Sequence, residues 1–185
     1  MIFIILGWFG TITYLVNHGY ISFSKDKSNL IYYGGNFLAA LSLVISSIVS
    51  QSYQAVVING FWAIISILVL ANINLKRLPI NVMFFNIILG IFAIGVAYQG
   101  IMLNKLDTQL LGWSSAFVFS ASYLLFTIGK MPIINYLIFN AYAAFVILPQ
   151  VWIDQNWPVF ALEICWGTIS LYGAFRKINE VHLID

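Results

Sequence analysis

Apolar residues run almost unbroken along the chain, interrupted at short intervals by polar clusters reading SFSKDKSN, SQS, LKRLP, NKLD, GKMP and DQN. The stretches between these breaks are about 20 residues long, the length at which a helix crosses the hydrocarbon core of a bilayer. In lipid only helices or closed barrels satisfy their own backbone groups, and continuous apolar runs favour helices. The pattern therefore predicts an all-α membrane protein of seven transmembrane helices, over residues 2–21, 30–49, 53–73, 80–103, 108–128, 132–152 and 157–175. The opening run MIFIILGWFGTITYLV lacks the basic start and small-residue cleavage site of a signal peptide, so it reads as a retained first helix.

Loop charge orders these spans. With seven of them, Lys25, Lys27, Lys76, Arg77, Lys130, Arg176 and Lys177 gather on one side, and Lys105 alone stands on the other. Basic residues in short loops mark the cytoplasmic face, which predicts a multi-pass protein of the inner (cytoplasmic) membrane with its N-terminus outside and its C-terminus inside. Deleting the fourth span would carry Lys130, Arg176 and Lys177 to the opposite side, so the charge bias argues for that helix. Tyr20, Tyr33, Trp152 and Trp157 fall near predicted helix ends, where aromatic rings anchor at the interface.

Laid on itself, the chain matches at a displacement of 104 residues: GFWAIIS, 60–66, falls on ICWGTIS, 164–170, bringing Trp62 onto Trp166. The same displacement pairs Tyr32 with Tyr136, Asn36 with Asn140, Ala39 and Ala40 with Ala143 and Ala144, and Ser66 with Ser170. Upstream, Leu6-Gly7-Trp8 meets Leu111-Gly112-Trp113 at 105, a difference that one loop residue absorbs. Each repeat holds three spans, an odd number, so one linker helix restores the direction of the second and the two repeats run parallel. The expected organisation is a single membrane domain over 1–185, with repeat one at 1–75, a linker helix at 79–104, repeat two at 106–177 and a short cytoplasmic tail at 178–185.

Two parallel three-helix repeats joined by one helix resemble the SWEET and PQ-loop transporter superfamily. The third-span segment VVINGFW, 56–62, its counterpart FALEICW, 160–166, and the chain length are similar to the YgjV-like bacterial inner-membrane proteins. Pro149-Gln150 spells the PQ pair, while Ile45-Ser46 occupy those positions in the first repeat. The resemblance implies transport of a small molecule at a site between the two repeats.

Composition narrows the reading further. Of 185 residues, 62% are hydrophobic and 8% charged, with mean hydropathy +0.95, whereas a soluble domain carries about a quarter charged residues. The net charge of +2 includes no basic stripe that could follow a nucleic-acid backbone. The lone Cys165 reads as a small buried apolar side chain. No HExxH, CxxC, GxSxG or Walker pattern occurs, which argues against an enzyme, a metal site and any cofactor. The expected partners are the lipid bilayer and a small-molecule substrate, with a homo-oligomer left open.

Glu163 is the acidic residue well inside a predicted span, about 9 Å from its outer end at 1.5 Å per residue. An ionised carboxylate at mid-membrane costs about 2.5–3.5 kcal/mol, so it should face the bundle interior, take up a proton, or meet a cation or donor. Its functional reading is proton coupling or cation recognition; its structural reading is a helix-bridging hydrogen bond. The repeat partner of Glu163 is Asn59. Asn59 with Trp62, and Glu163 with Trp166, stand three apart on one helix face, a polar group beside a flat ring as in small-molecule pockets. Asn36 and Asn140 either line that pocket or bridge helices, with bridging favoured, and His18 is a candidate proton relay. The leading expectation is thus a transporter or facilitator of a small polar molecule; the alternative is a membrane scaffold or accessory subunit whose polar residues only hold helices together.

Overall fold

The computed structural model describes residues 2–23 and 28–182. Seven α-helices follow one another: α1 (Ile2–Phe23), α2 (Asn29–Val49), α3 (Tyr53–Leu70), α4 (Val82–Met102), α5 (Thr108–Thr127), α6 (Ile133–Ile153) and α7 (Trp157–His182). Six of them, α2 to α7, are long and apolar enough to cross a membrane. The polar breaks do the punctuating. Ser28, Asn81 and Asp107 cap α2, α4 and α5 by accepting from the backbone N–H of Ile31, Met83 and Gln109, which satisfies amides that the first helical turn leaves open. Helix α7 outlasts its expected end at 175, because Arg176, Lys177 and Asn179 end the apolar stretch without opposing helical backbone.

The turns between α2 and α3 and between α6 and α7 are built alike. Gln51 and Gln155 both adopt left-handed backbone, with φ of 56° and 55°. Around them the N–H of Ser52 donates to the Ser47 carbonyl at 2.9 Å and that of Asn156 to Val151 at 3.0 Å. Tyr53 then bonds Gln51 as Trp157 bonds Gln155. A β-branched side chain tolerates positive φ poorly, so Gln155→Val is expected to cost about 1–2 kcal/mol and to lower the Tm, read by scanning fluorimetry in detergent.

The chain forms two compact units, one of residues 1–75 with 151–162 and one of residues 76–150 with 163–185. In the first, α1 packs closely on α2 through two glycines. A Cβ at Gly7 would stand 2.5 Å from Ser46 Oγ and 2.7 Å from Pro158 Cγ, and one at Gly10 would stand 2.8 Å from both the Ala39 carbonyl oxygen and Leu43 Cγ. The α6–α7 turn is fastened to this pair: Thr11 Oγ1 donates to the Pro158 carbonyl at 2.7 Å, and Asn156 Nδ2 donates to Ser47 Oγ at 3.0 Å. In lipid such packing and hydrogen bonding, more than hydrophobic burial, draw helices together.

In the second unit Ser115 Oγ donates to the Ala143 carbonyl at 2.7 Å, and Gly167 brings α7 so close to α6 that a Cβ there would meet the Phe145 ring at 2.9 Å. Phe85 is the buried residue of α4, with its ring 5.7 Å from Phe117 and 5.2 Å from Phe139. Lys130 Nζ donates to the Ile80 carbonyl at 2.6 Å just ahead of α4. Cys165, expected to be buried, is instead exposed. A membrane helix is apolar on its lipid face as well, so an apolar run does not separate inside from outside.

Candidate functional site

Most of the polar residues expected inside spans are buried, and each unit holds its own set. Asn59, six residues into α3, is 3% exposed, and its Nδ2 donates to the Ala55 carbonyl of its own helix at 2.9 Å. Trp62, one turn on, is buried and meets Tyr14 edge to face at 5.9 Å between ring centroids. Asn36 is buried as well, and its Oδ1 accepts from Asn17 Nδ2 at 2.8 Å, while the same Asn17 group donates to the Tyr32 carbonyl at 2.6 Å. All of these belong to the first unit.

The second unit repeats the residue types with different neighbours. Glu163, six residues into α7, is 4% exposed, and its Oε2 has no hydrogen-bond partner among the described residues. Half-buried Trp166 donates from Nε1 to Asn140 Oδ1 at 3.1 Å, and Asn140 Nδ2 donates to the Tyr136 carbonyl at 2.8 Å. Asn140 therefore joins α6 to α7, as Asn36 through Asn17 joins α2 to α1. Trp62 thus packs on the Tyr14 ring, and Trp166 donates to Asn140. The side chain of His18 lies outside the described residues.

Asn17 is one of the buried polar residues that the sequence reading passed over, with Gln54 and Asn156 among the others. Its signal was present, since at displacement 105 it falls on Ser122, which is also buried. Removing the Asn17 amide strips Asn36 Oδ1 of its donor, and intramembrane hydrogen bonds contribute about 0.6–2 kcal/mol. Asn17→Ala is expected to destabilise by that amount, measured as a Tm decrease in detergent, while Asn17→Gln recovers part of it.

Glu163 differs in kind from the asparagines. An amide carries its own donors and can bond a neighbouring carbonyl, as Asn59 and Asn140 do. A carboxyl has only oxygens, and a buried one needs a proton, a donor or a cation for both of them. No three His, Cys, Asp or Glu among the described residues lie close enough to hold a metal ion.

The apolar helices and the polar groups buried among them define an all-helical membrane protein. The chain belongs to an uncharacterised bacterial family, whose model matches residues 3–77 and 108–180. No curated protein and no solved structure matches it.

Proposed function

We propose that the protein is a transporter or facilitator of a small polar molecule in the bacterial inner membrane. The observation that carries this reading is Glu163, a buried membrane carboxyl with one oxygen left without a partner among the described residues. Asn36 and Asn156 also leave one polar atom unpartnered among the described residues, but an amide neither gains nor loses a proton, whereas a carboxyl can, and an unmet acceptor in a dry interior costs about 1–3 kcal/mol. A carboxyl kept in this state is suited to taking up a proton or meeting a cationic or donor group on a passing substrate.

The architecture proposed with it is two parallel three-helix repeats, α1–α3 and α5–α7, joined by α4, in a YgjV-like protein of SWEET-like plan. Helix α1 serves as the seventh span, with the N-terminus outside. Three observations support the repeats. The backbone hydrogen bonds at Gln51 and Gln155 recur at the 104-residue displacement. Buried positions recur as well: Gly7, Gly10, Thr11, Tyr14 and Asn17 of α1 align at 105 with Gly112, Ser115, Ala116, Phe119 and Ser122 of α5, and all ten are buried. Finally, Ser115 stands against the Ala143 carbonyl where Gly10 stands against that of Ala39. The matched family segments flank α4 on either side.

A thermal-shift screen of the detergent-purified protein against sugars, nucleosides, vitamins, amino acids and organic cations tests the function. A ligand that stabilises the wild type in a pH-dependent way, and not Glu163→Gln, supports transport and gives the substrate class. If none shifts it and the variant alone melts lower, the carboxyl is a packing element and the scaffold reading takes over.

A further inference from the structure

The segment that leads into α4 and the loop between α5 and α6 meet at one end of the second unit, where the Lys130 ammonium donates to the Ile80 carbonyl at 2.6 Å. That bond uses one of three ammonium donors and leaves the charge whole, because a carbonyl is neutral. Arg77 lies three residues before Ile80, and three residues of chain span at most about 11 Å. Two cationic side chains therefore belong to one small patch. Both are exposed, and the Arg77 guanidinium has no hydrogen-bond or ion-pair partner among the described residues. Lys76 has an interaction of its own within the molecule, so the patch is not made to depend on it. Residues 76–81 and 128–132 include no Asp or Glu that could neutralise the pair locally.

Position decides which anion suits this patch. The spans Val82–Met102 and Ile133–Ile153 begin, and Thr108–Thr127 ends, within a few residues of it, which is the depth of lipid phosphates. From there α4 leaves Met83, Phe84, Ile87 and Ile91 exposed. Met83, Ile87 and Ile91 follow one another at four-residue spacing along one face, over about 12 Å of helix at 1.5 Å per residue. A soluble anion gains nothing from that apolar run. A phospholipid uses both features, since its phosphate accepts from a guanidinium and an ammonium while its acyl chains cover the helix. A zwitterionic headgroup brings an ammonium that the patch repels, so a headgroup of net negative charge is selected.

We propose that Arg77 and Lys130 hold the phosphate of an anionic phospholipid whose acyl chains lie along the outward face of α4. The site does not involve Glu163 and stands whether or not that carboxyl couples transport.

Native mass spectrometry of the full-length, detergent-purified protein titrated with phosphatidylglycerol tests the assignment. Phosphatidylcholine with the same acyl chains is the zwitterionic control, and glycerol 3-phosphate is the headgroup without chains. Phosphatidylglycerol is expected to bind at least tenfold tighter than either. Each basic residue beside an anionic headgroup contributes about fivefold in affinity, so Arg77→Gln and Lys130→Gln should each weaken binding by about that factor. Lys105→Gln, beyond the other end of α4, should leave it unchanged. Should Lys130→Gln fail to fold, Arg77→Gln carries the test together with Arg77→Lys, which keeps the charge and should bind within about twofold of the wild type. Equal binding of phosphatidylcholine, equally tight glycerol 3-phosphate, folded Arg77→Gln that binds like the wild type, or an equal loss for Lys105→Gln would overturn it. So would a dimer carrying no phosphatidylglycerol, since a second copy of the chain would then cover α4.

Discussion

Replacing Glu163 by Gln is expected to reduce transport by about 10- to 100-fold while leaving the protein folded. The estimate follows from the roughly 1.5–3 kcal/mol that a hydrogen bond involving a charged group contributes, each 1.36 kcal/mol being tenfold in rate. Gln keeps the size of the side chain and removes the proton that can be gained and lost. The measurement is flux of the ligand found by thermal shift, in vesicles prepared with each protein at several pH values. Wild-type flux should vary with pH through this group, and the variant's flux should be low and flat. A variant that transports like the wild type would show that the carboxyl is structural, and the asparagines of the two units would then be the next residues to test.

The second large effect concerns Gly10. A methyl group there would sit 2.8 Å from the Ala39 carbonyl oxygen, which is backbone and cannot swing aside, and 2.8 Å from Leu43 Cγ. Gly10→Ala is therefore expected to force α1 away from α2 and to cost about 1–3 kcal/mol, the usual range for overpacking. Gly34→Ala and Gly60→Ala, where an added Cβ meets nothing within 4 Å, should be neutral or raise the Tm, since alanine is the better helix former. Gly10→Ser discriminates further. At the aligned position Ser115 donates to the Ala143 carbonyl, so a serine at 10 should recover part of the loss by donating to Ala39. If serine is no better than alanine, the alignment of α1 with α5 fails.

The helices were legible because each is bounded by chemistry that interrupts lipid-compatible sequence. SQS and DQN become turns around Gln51 and Gln155, and NKLD supplies the Asp107 cap of α5. Helix α7 runs on to His182 beyond the expected span, because hydropathy reports where the membrane stops and not where the helix does. Of the candidate site, the burial of Asn36, Asn59, Asn140 and Glu163 could be anticipated from the cost of placing polar groups in lipid. What each one touches could not. Trp62 meets the Tyr14 ring and Trp166 donates to Asn140, contacts set by helices that the local motif does not specify. The contact of Lys130 with Ile80 joins two separated loops, and no local spacing announces it.

Helix α4 stands apart from the rest. Along its 21 residues Phe85 is the one that is buried, while Met83, Phe84, Ile87, Ile91, Ile94 and Ile101 face outward. Its outward positions answer to the solvent and not to partner side chains, and lipid asks only that they be apolar. Any of Leu, Ile, Val, Met or Phe meets that demand, so the helix can change its spelling freely over generations while keeping its place. The spelling should hold only where a ring must meet Phe117 and Phe139. The family model matches the segments on either side of this helix, residues 3–77 and 108–180.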